Sequence, residues 1–397
     1  MTNAHKDALF VLIKSLSKSE KRQFKLYVGR LGVNADAKFL ALFNLLDKMR
    51  AYEEKQILDS GIVKKAQLSN LKAHLYKQIL VSLRLNPVNQ NVRVQIREQL
   101  DFATILYQKG LYKQSLKILD KAKNYAIEHE EKNVAYEIVE LEKIIETQYI
   151  TRSIPDRADE LAVQAKELST QNVIASKLSN LSLQLYGMML KVGYVRNDED
   201  LQSVRDYFEA HLPAYKSSDL GFRERLWLYK AHLWYSLLTQ DFLSSYRYAS
   251  KWVDLFHDHP EMIRLNPVFY LKGNHYLLES LFFVKYASQF RDTLERLEHH
   301  VKEAGFPQND NISSLSFLYI NSNRLNLHFL EGTFDKGLYL VNIIEYGIKK
   351  HKGRIDEHHI MLLYYKIACL YFGNGDHKNC IQYLKRIIAN KNLKMRE

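Results

Sequence analysis

Residues 98–126, EQLDFATILYQKGLYKQSLKILDKAKNYA, decide the reading of the chain. Apolar and small side chains recur at helical spacing through Leu100, Ala103, Leu106 and Tyr107. The pattern breaks at Gly110 and resumes at Leu111, Leu116, Leu119 and Ala122. Two amphipathic helices separated by so short a break fold back on each other as an antiparallel pair. The same pattern returns to the end of the sequence. Turn signals fall at Gly110, Ser153, Gly193, Gln240, Tyr286, Gly332 and Gly375, with 40 to 47 residues between successive ones. Self-similarity at a near-constant period marks an array in which each unit buries its apolar face against the next.

The stretch resembles a tetratricopeptide repeat. A small residue (Ala103), a turn glycine (Gly110), an aromatic (Tyr112) and a small, bulky, small series (Ser115, Leu119, Ala122) fall in that family's order. Ala368, Tyr371, Gly375, Cys380, Leu384 and Ile387 repeat it, as do Gly332, Phe334, Gly337, Val341 and Ile344. The resemblance implies an all-α, tetratricopeptide-like α-solenoid of about seven long hairpins over residues 91–397. The family's own period is shorter, so helices of about 18–20 residues, ~30 Å long, are expected here. Between the first and fourth turns the spacing predicts hairpins over 133–170 and 173–211.

Residues 1–90 differ in charge. They hold 16 Lys and Arg against 7 Asp and Glu, whereas residues 91–397 hold 41 against 38. Most of the net charge of +12 therefore sits in the first quarter of the chain. Periodicity predicts helices at about 5–16, 18–31, 36–51, 53–60 and 65–85. The second opens on a capping box, Ser17 with Glu20. Phe24, Tyr27, Val28 and Leu31 form its apolar face, and Lys18, Lys21, Arg22 and Lys25 form a basic stripe opposite. On the last helix Leu68, Leu71, Leu75, Ile79 and Ser82 face inward and Lys65, Lys72 and Lys77 outward. Asn86-Pro87 is a helix-start signal and the expected boundary between a basic helical N-terminal domain, 1–90, and the repeats. The same string, Arg-Leu-Asn-Pro-Val, recurs at 264–268.

Signatures of chemistry are missing. The sequence has no HExxH, no paired CxxC, no GxSxG and no glycine-rich phosphate loop. FGNGD at 372–376 is a hairpin turn, because no strand precedes it. Adjacent histidines at 299–300 and 358–359 point about 100° apart on a helix and do not converge on one ion. No catalytic residue, metal site or cofactor is expected. Cys369 and Cys380 suit a reducing compartment and the core of the last hairpin. No stretch reaches the length of a membrane span, and the N-terminus lacks a cleavage signal, so a cytoplasmic protein without membrane insertion is expected.

Two functions follow from the resemblance. In one, the concave face formed by the first helix of each pair binds a protein or peptide. The family's groove positions then fall on Arg97, Thr104 and Gln108, on Lys143 and Thr147, on Asn180 and Gln184, on Lys230, and on Asn323 and Asn326. In the other, the layout is similar to that of peptide-sensing bacterial regulators. There the repeats bind a signalling peptide, and residues 1–90 contact nucleic acid or a partner protein through the basic stripe or through a helix-turn-helix around Asp59-Ser60-Gly61. Trp227 and Trp234, seven apart on one helix face, fit either packing or a groove wall.

Overall fold

The computed structural model describes residues 7–30, 36–86, 91–148, 156–216 and 220–390, and among these every regular element is a helix. The chain divides into two compact units, 1–122 and 123–397.

The first unit contains α1 (Ala8–Ser15), α2 (Lys18–Gly29), α3 (Asp36–Lys48), α4 (Glu54–Asp59), α5 (Lys65–Arg84) and α6 (Val92–Gln108). The chain leaves it within α7 (Tyr112–Glu128). α2 opens on the predicted capping box, with Ser17 Oγ accepting from Glu20 N and Glu20 accepting from Ser17 N. Its Phe24 and Val28 lie in one core with Phe10, Ile13, Phe43, Leu46, Leu75 and Ile79. Lys72, expected on the outer face of α5, is instead partly buried. It donates to Asp7 and, at 2.9 Å, to the Tyr52 hydroxyl. Burial alone lowers the pKa of its ammonium, but the hydrogen bonds to Asp7 and Tyr52 outweigh that and raise it. Leu31, Pro87 and the Ser153 turn lie outside the described residues.

α6 and α7 make the hairpin predicted from 98–126. Gly110 turns the chain at φ +76°, a left-handed conformation that costs a residue without Cβ nothing. Ala103 and Ala122 are buried, and Ser115 Oγ donates to the Ala103 carbonyl at 2.8 Å across the pair. Replacing either alanine with leucine overpacks this contact and should cost about 1–3 kcal/mol. Thermal unfolding measures it, and unchanged melting of both variants would show that the helices do not meet there.

The second unit continues with α8 (Lys132–Gln148), α9 (Arg157–Val192), α10 (Asp198–His211), α11 (Phe222–Leu238), α12 (Phe242–Asp258), the short α13 (Glu261–Leu265), α14 (Pro267–Phe283), α15 (Ala287–Lys302), α16 (Asp310–Glu331), α17 (Phe334–Gly337), α18 (Tyr339–Lys350), α19 (Glu357–Gly373) and α20 (His377–Ile388). α14 starts with Pro267 at its first position, as the Asn-Pro signal predicts. The expected break between hairpins near 171–172 does not occur. α9 is one helix of 36 residues. Ser169-Thr170-Gln171-Asn172 contains neither Gly nor Pro, and polar residues alone do not stop a helix with apolar periodicity on both sides.

From α11 onward, tight turns pair helices of 16 or 17 residues (α11, α12, α14, α15 and α19) or 22 (α16) with one another or with the 12-residue α18 and α20. Gln240, Lys285, Gly332 and Gly375 take left-handed conformations between the partners, at or beside the predicted turns. α9 packs on α11, α14 on α16 and α16 on α19, while α12, α15 and α20 lie behind them. One continuous core, from Leu181 to Tyr383, runs between these two layers.

Candidate functional site

Each helix of the front layer buries one stripe against the helices behind it and turns another to an open groove. The groove stripes follow helical spacing. On α9 it is Ser179, Ser182, Leu183 and Tyr186, on α11 Trp227, Lys230 and Trp234, and on α14 Lys272, His275, Tyr276 and Glu279. Tyr319 and Ser322 come from α16, and His359, Leu362 and Lys366 from α19. The groove contains two cavities of about 450 Å³ and about 740 Å³. They share Tyr186, Trp234, His275, Tyr276, Tyr319 and His359, so they are two stretches of one depression.

The aromatic walls are held by one another. Tyr276 stands edge-on to Trp234 with ring centres 5.6 Å apart, and Trp252 lies behind it at 5.9 Å. His275 stacks on Tyr319 at 4.4 Å. Asn323 Nδ2 donates to the Tyr319 carbonyl at 2.8 Å and lies 3.2 Å from His275 Nδ1. Burial pushes the Tyr276 hydroxyl pKa well up and that of Tyr319 to about 12, so both remain neutral donors. Burial lowers the His275 pKa below its ordinary value. Burial first, and the charge of Lys272 second, pull Lys230 down to about 8. Lys366, which donates to Ser322 Oγ at 2.7 Å, is lowered by burial despite the carboxylate of Glu279.

Of the positions carried over from the tetratricopeptide pattern, Asn180 and Lys230 line the smaller cavity. Gln184 lies outside the lining and accepts from the Tyr207 hydroxyl. Asn323 and Asn326 are buried one helical turn beyond the lining Tyr319 and Ser322 and do not line the groove, and Asn326 donates to Asn323 Oδ1 at 3.3 Å. Lys143 pairs with Glu140 at 2.6 Å and Thr147 donates to the Ile144 carbonyl. Arg97, Thr104 and Gln108 are on α6 in the first unit, where Thr104 donates to the Leu100 carbonyl. Trp227 and Trp234 both line the groove. Lys272, His275, Lys366 and the tyrosines were not singled out from sequence. Their signal is a polar or aromatic residue at i, i+3, i+4 and i+7 on an otherwise apolar helix.

The basic stripe of the first unit is on the surface. Lys18, Lys21, Arg22 and Lys25 surround a shallow depression of about 410 Å³ beside the exposed Leu26. Lys21 is ion-paired with Asp47 at 2.7 Å, and Lys25 Nζ lies 5.9 Å from the Phe43 ring centre. α4 and α5 flank Gly61, which adopts φ +69°.

Compared with protein-family models, with curated proteins and with solved structures, the chain matches none. Among the described residues, no helix is long and apolar enough to cross a membrane.

Proposed function

We propose that this protein is a non-enzymatic, cytoplasmic scaffold or adaptor that binds a protein or peptide along the groove of the second unit. Its helix pairs act as a tetratricopeptide-like solenoid of about seven hairpins. The observation that carries this reading is the groove itself. Five helices, α9, α11, α14, α16 and α19, place polar and aromatic side chains on one open depression while their other faces are core. An elongated, mixed surface of that kind suits a chain in extended or helical form.

Capture from nuclease-treated native lysate tests it. A protein partner should survive nuclease treatment and be lost with Leu183→Glu, which changes a lining residue that is 66% exposed and carries no fold. A partner retained equally by that variant would remove the groove from the function.

A second reading, a peptide-sensing regulator whose basic N-terminal unit meets nucleic acid, is favoured by one observation. Among the described residues Lys18, Arg22 and Lys25 have no carboxylate in an ion pair, unlike Lys21. Duplex binding through this stripe would weaken with salt at a log–log slope of about 0.9 per phosphate contact. The expected result is weak or no binding of a generic duplex at about 150 mM salt, with the partner still captured by the triple variant Lys18→Glu, Arg22→Glu, Lys25→Glu. Tight duplex binding abolished by that variant would favour the regulator. Lys21 is left intact because a carboxylate there would face Asp47.

A further inference from the structure

The groove of the second unit carries more positive charge than it neutralises. Three lysines line it against two carboxylates, Glu279 and Asp356. Glu279 Oε1 lies 3.4 Å from His275 Nε2, one turn away on α14. Asp356 caps α19 and sits 2.5 Å from His359 Nδ1. Lys366 feels the charge of Glu279, but none of the three lysines has a carboxylate at ion-pair distance among the described residues. Lys366 donates to a neutral hydroxyl, and Lys230 lies 4.6 Å from the Trp227 ring centre and 5.8 Å from that of Phe269. Among the described residues, no carboxylate forms an ion pair with Lys230, Lys272 or Lys366. They stand on α11, α14 and α19, so the cations are spread along the depression.

A partly desolvated ammonium without a counter-ion is unfavourable, and it is relieved by losing its proton or by receiving an anion. We infer that the groove receives an acidic, extended segment of a partner protein, whose Asp or Glu side chains reach Lys230, Lys272 and Lys366 while its apolar or aromatic side chains lie against Tyr186, Trp234 and Tyr276. This rests on the peptide-binding reading and specifies its ligand. Charge complementarity selects the acidic partner. The continuity of the two cavities across five helices selects a chain over a small anion. Nucleic acid is disfavoured because several rings already lie face to edge or face to face with neighbours, as in Tyr276 with Trp234 and His275 with Tyr319, which removes the free platforms that stack bases.

The segment would also change a protonation state. Lys230 sits near 8 in the free groove, and Lys272 is the charged group that helps hold it there. His275 and Glu279 line the groove from α14, and His359 and Lys366 line it from α19. A carboxylate beside Lys230 raises its pKa again. Binding near pH 8 therefore takes up a proton, and affinity is full below that value and falls as pH rises through it. His275, already lowered by burial, stays neutral over this range.

The test is selection of a displayed library of random peptides, about a dozen residues long, on the immobilised full-length protein. Selected peptides are then titrated calorimetrically in two buffers of different ionisation enthalpy. Peptides rich in Asp or Glu with at least one aromatic residue should emerge and bind with proton uptake at pH 8. Lys230→Gln with Lys272→Gln should weaken them by at least about tenfold and abolish the uptake, with circular dichroism and melting unchanged. Lys230→Gln alone guards against a folding defect in the pair, and should remove the uptake by itself. Neutral or basic winners, or acidic winners indifferent to both variants, would overturn the acidic assignment and leave peptide binding standing. No enrichment over the Leu183→Glu protein would remove the peptide reading itself. A labelled single-stranded oligonucleotide that displaces the selected peptides and binds more tightly would give the groove to nucleic acid and overturn the inference.

Discussion

Glu224→Ala should lower the melting temperature of the second unit by about 10 °C, because it removes an acceptor from a buried charge network at a cost of about 3–5 kcal/mol. Glu224 has no exposed surface, and its Oε2 accepts from Lys132 Nζ at 3.1 Å and from the Gly221 backbone N–H at 3.0 Å. Its Oε1 accepts from Arg223 at 3.4 Å. Arg223 continues to Asn172 Oδ1 at 2.6 Å and to Asn133 Oδ1 at 3.1 Å. One cluster thus ties the starts of α8 and α11 to the middle of α9. Gly221 makes the approach feasible, since a Cβ there would lie 2.5 Å from Lys132 Nζ. Without Glu224, Lys132 keeps only Glu130, at 3.0 Å, among its described ion-pair partners. Glu224→Gln retains an acceptor for Gly221 and should fall between wild type and alanine. Glu224→Met combined with Lys132→Met removes both charges and should recover much of the loss, because two well-packed apolar side chains replace a pair that was costly to desolvate. Melting of Glu224→Ala within about 2 °C of wild type would show that the cluster is hydrated in solution.

Sequence periodicity resolves the elements here better than their phase. Gly110, Gly193, Gln240, Gly332 and Gly375 are turns, and each is also a left-handed residue, so local backbone chemistry and the apolar pattern agree. The capping box at Ser17 is legible for the same reason: it is local. The uninterrupted α9 departs from the expected hairpins over 133–170 and 173–211 because the spacing of turn signals places a boundary at 171–172, where the chain carries neither Gly nor Pro. The groove is harder to read. α11 and α14 bury residues on several sides, among them Leu226, Leu233, Leu237 and Tyr270, Leu271, Leu277, so hydropathy does not separate a groove stripe from core. On α16 the lining Tyr319 and Ser322 and the interior Asn323 and Asn326 are one turn apart on the same face, so helical phase alone does not tell them apart. Pairings such as Lys132 with Glu224, 92 residues apart, have no periodic signature.

Trp252→Ala should be about as costly as the loss of Glu224, roughly 3–5 kcal/mol, and should couple strongly to a glycine on the facing helix. Trp252 on α12 is fully buried, and its ring reaches Phe269 at 6.5 Å and Tyr276 at 5.9 Å between centres. It fits because α14 passes close above it at Gly273, where a Cβ would lie 2.9 Å from Trp252 Cδ1 and Nε1. Gly273→Ala alone therefore forces the indole aside and should cost about 1–3 kcal/mol, even though alanine is the better helix former. In the Trp252→Ala background the same methyl enters the space the indole leaves, so the second change should be neutral or stabilising by a few tenths of a kcal/mol up to about 1. Additive costs in this cycle would mean that the two helices do not meet at Gly273. Tyr276 belongs to the groove on its other side, so Trp252→Ala also loosens one wall of the candidate site without altering any residue that lines it. Peptides selected on the wild-type groove should bind that variant more weakly, and their loss should come mainly as faster dissociation, since the lysines that steer acidic segments are untouched.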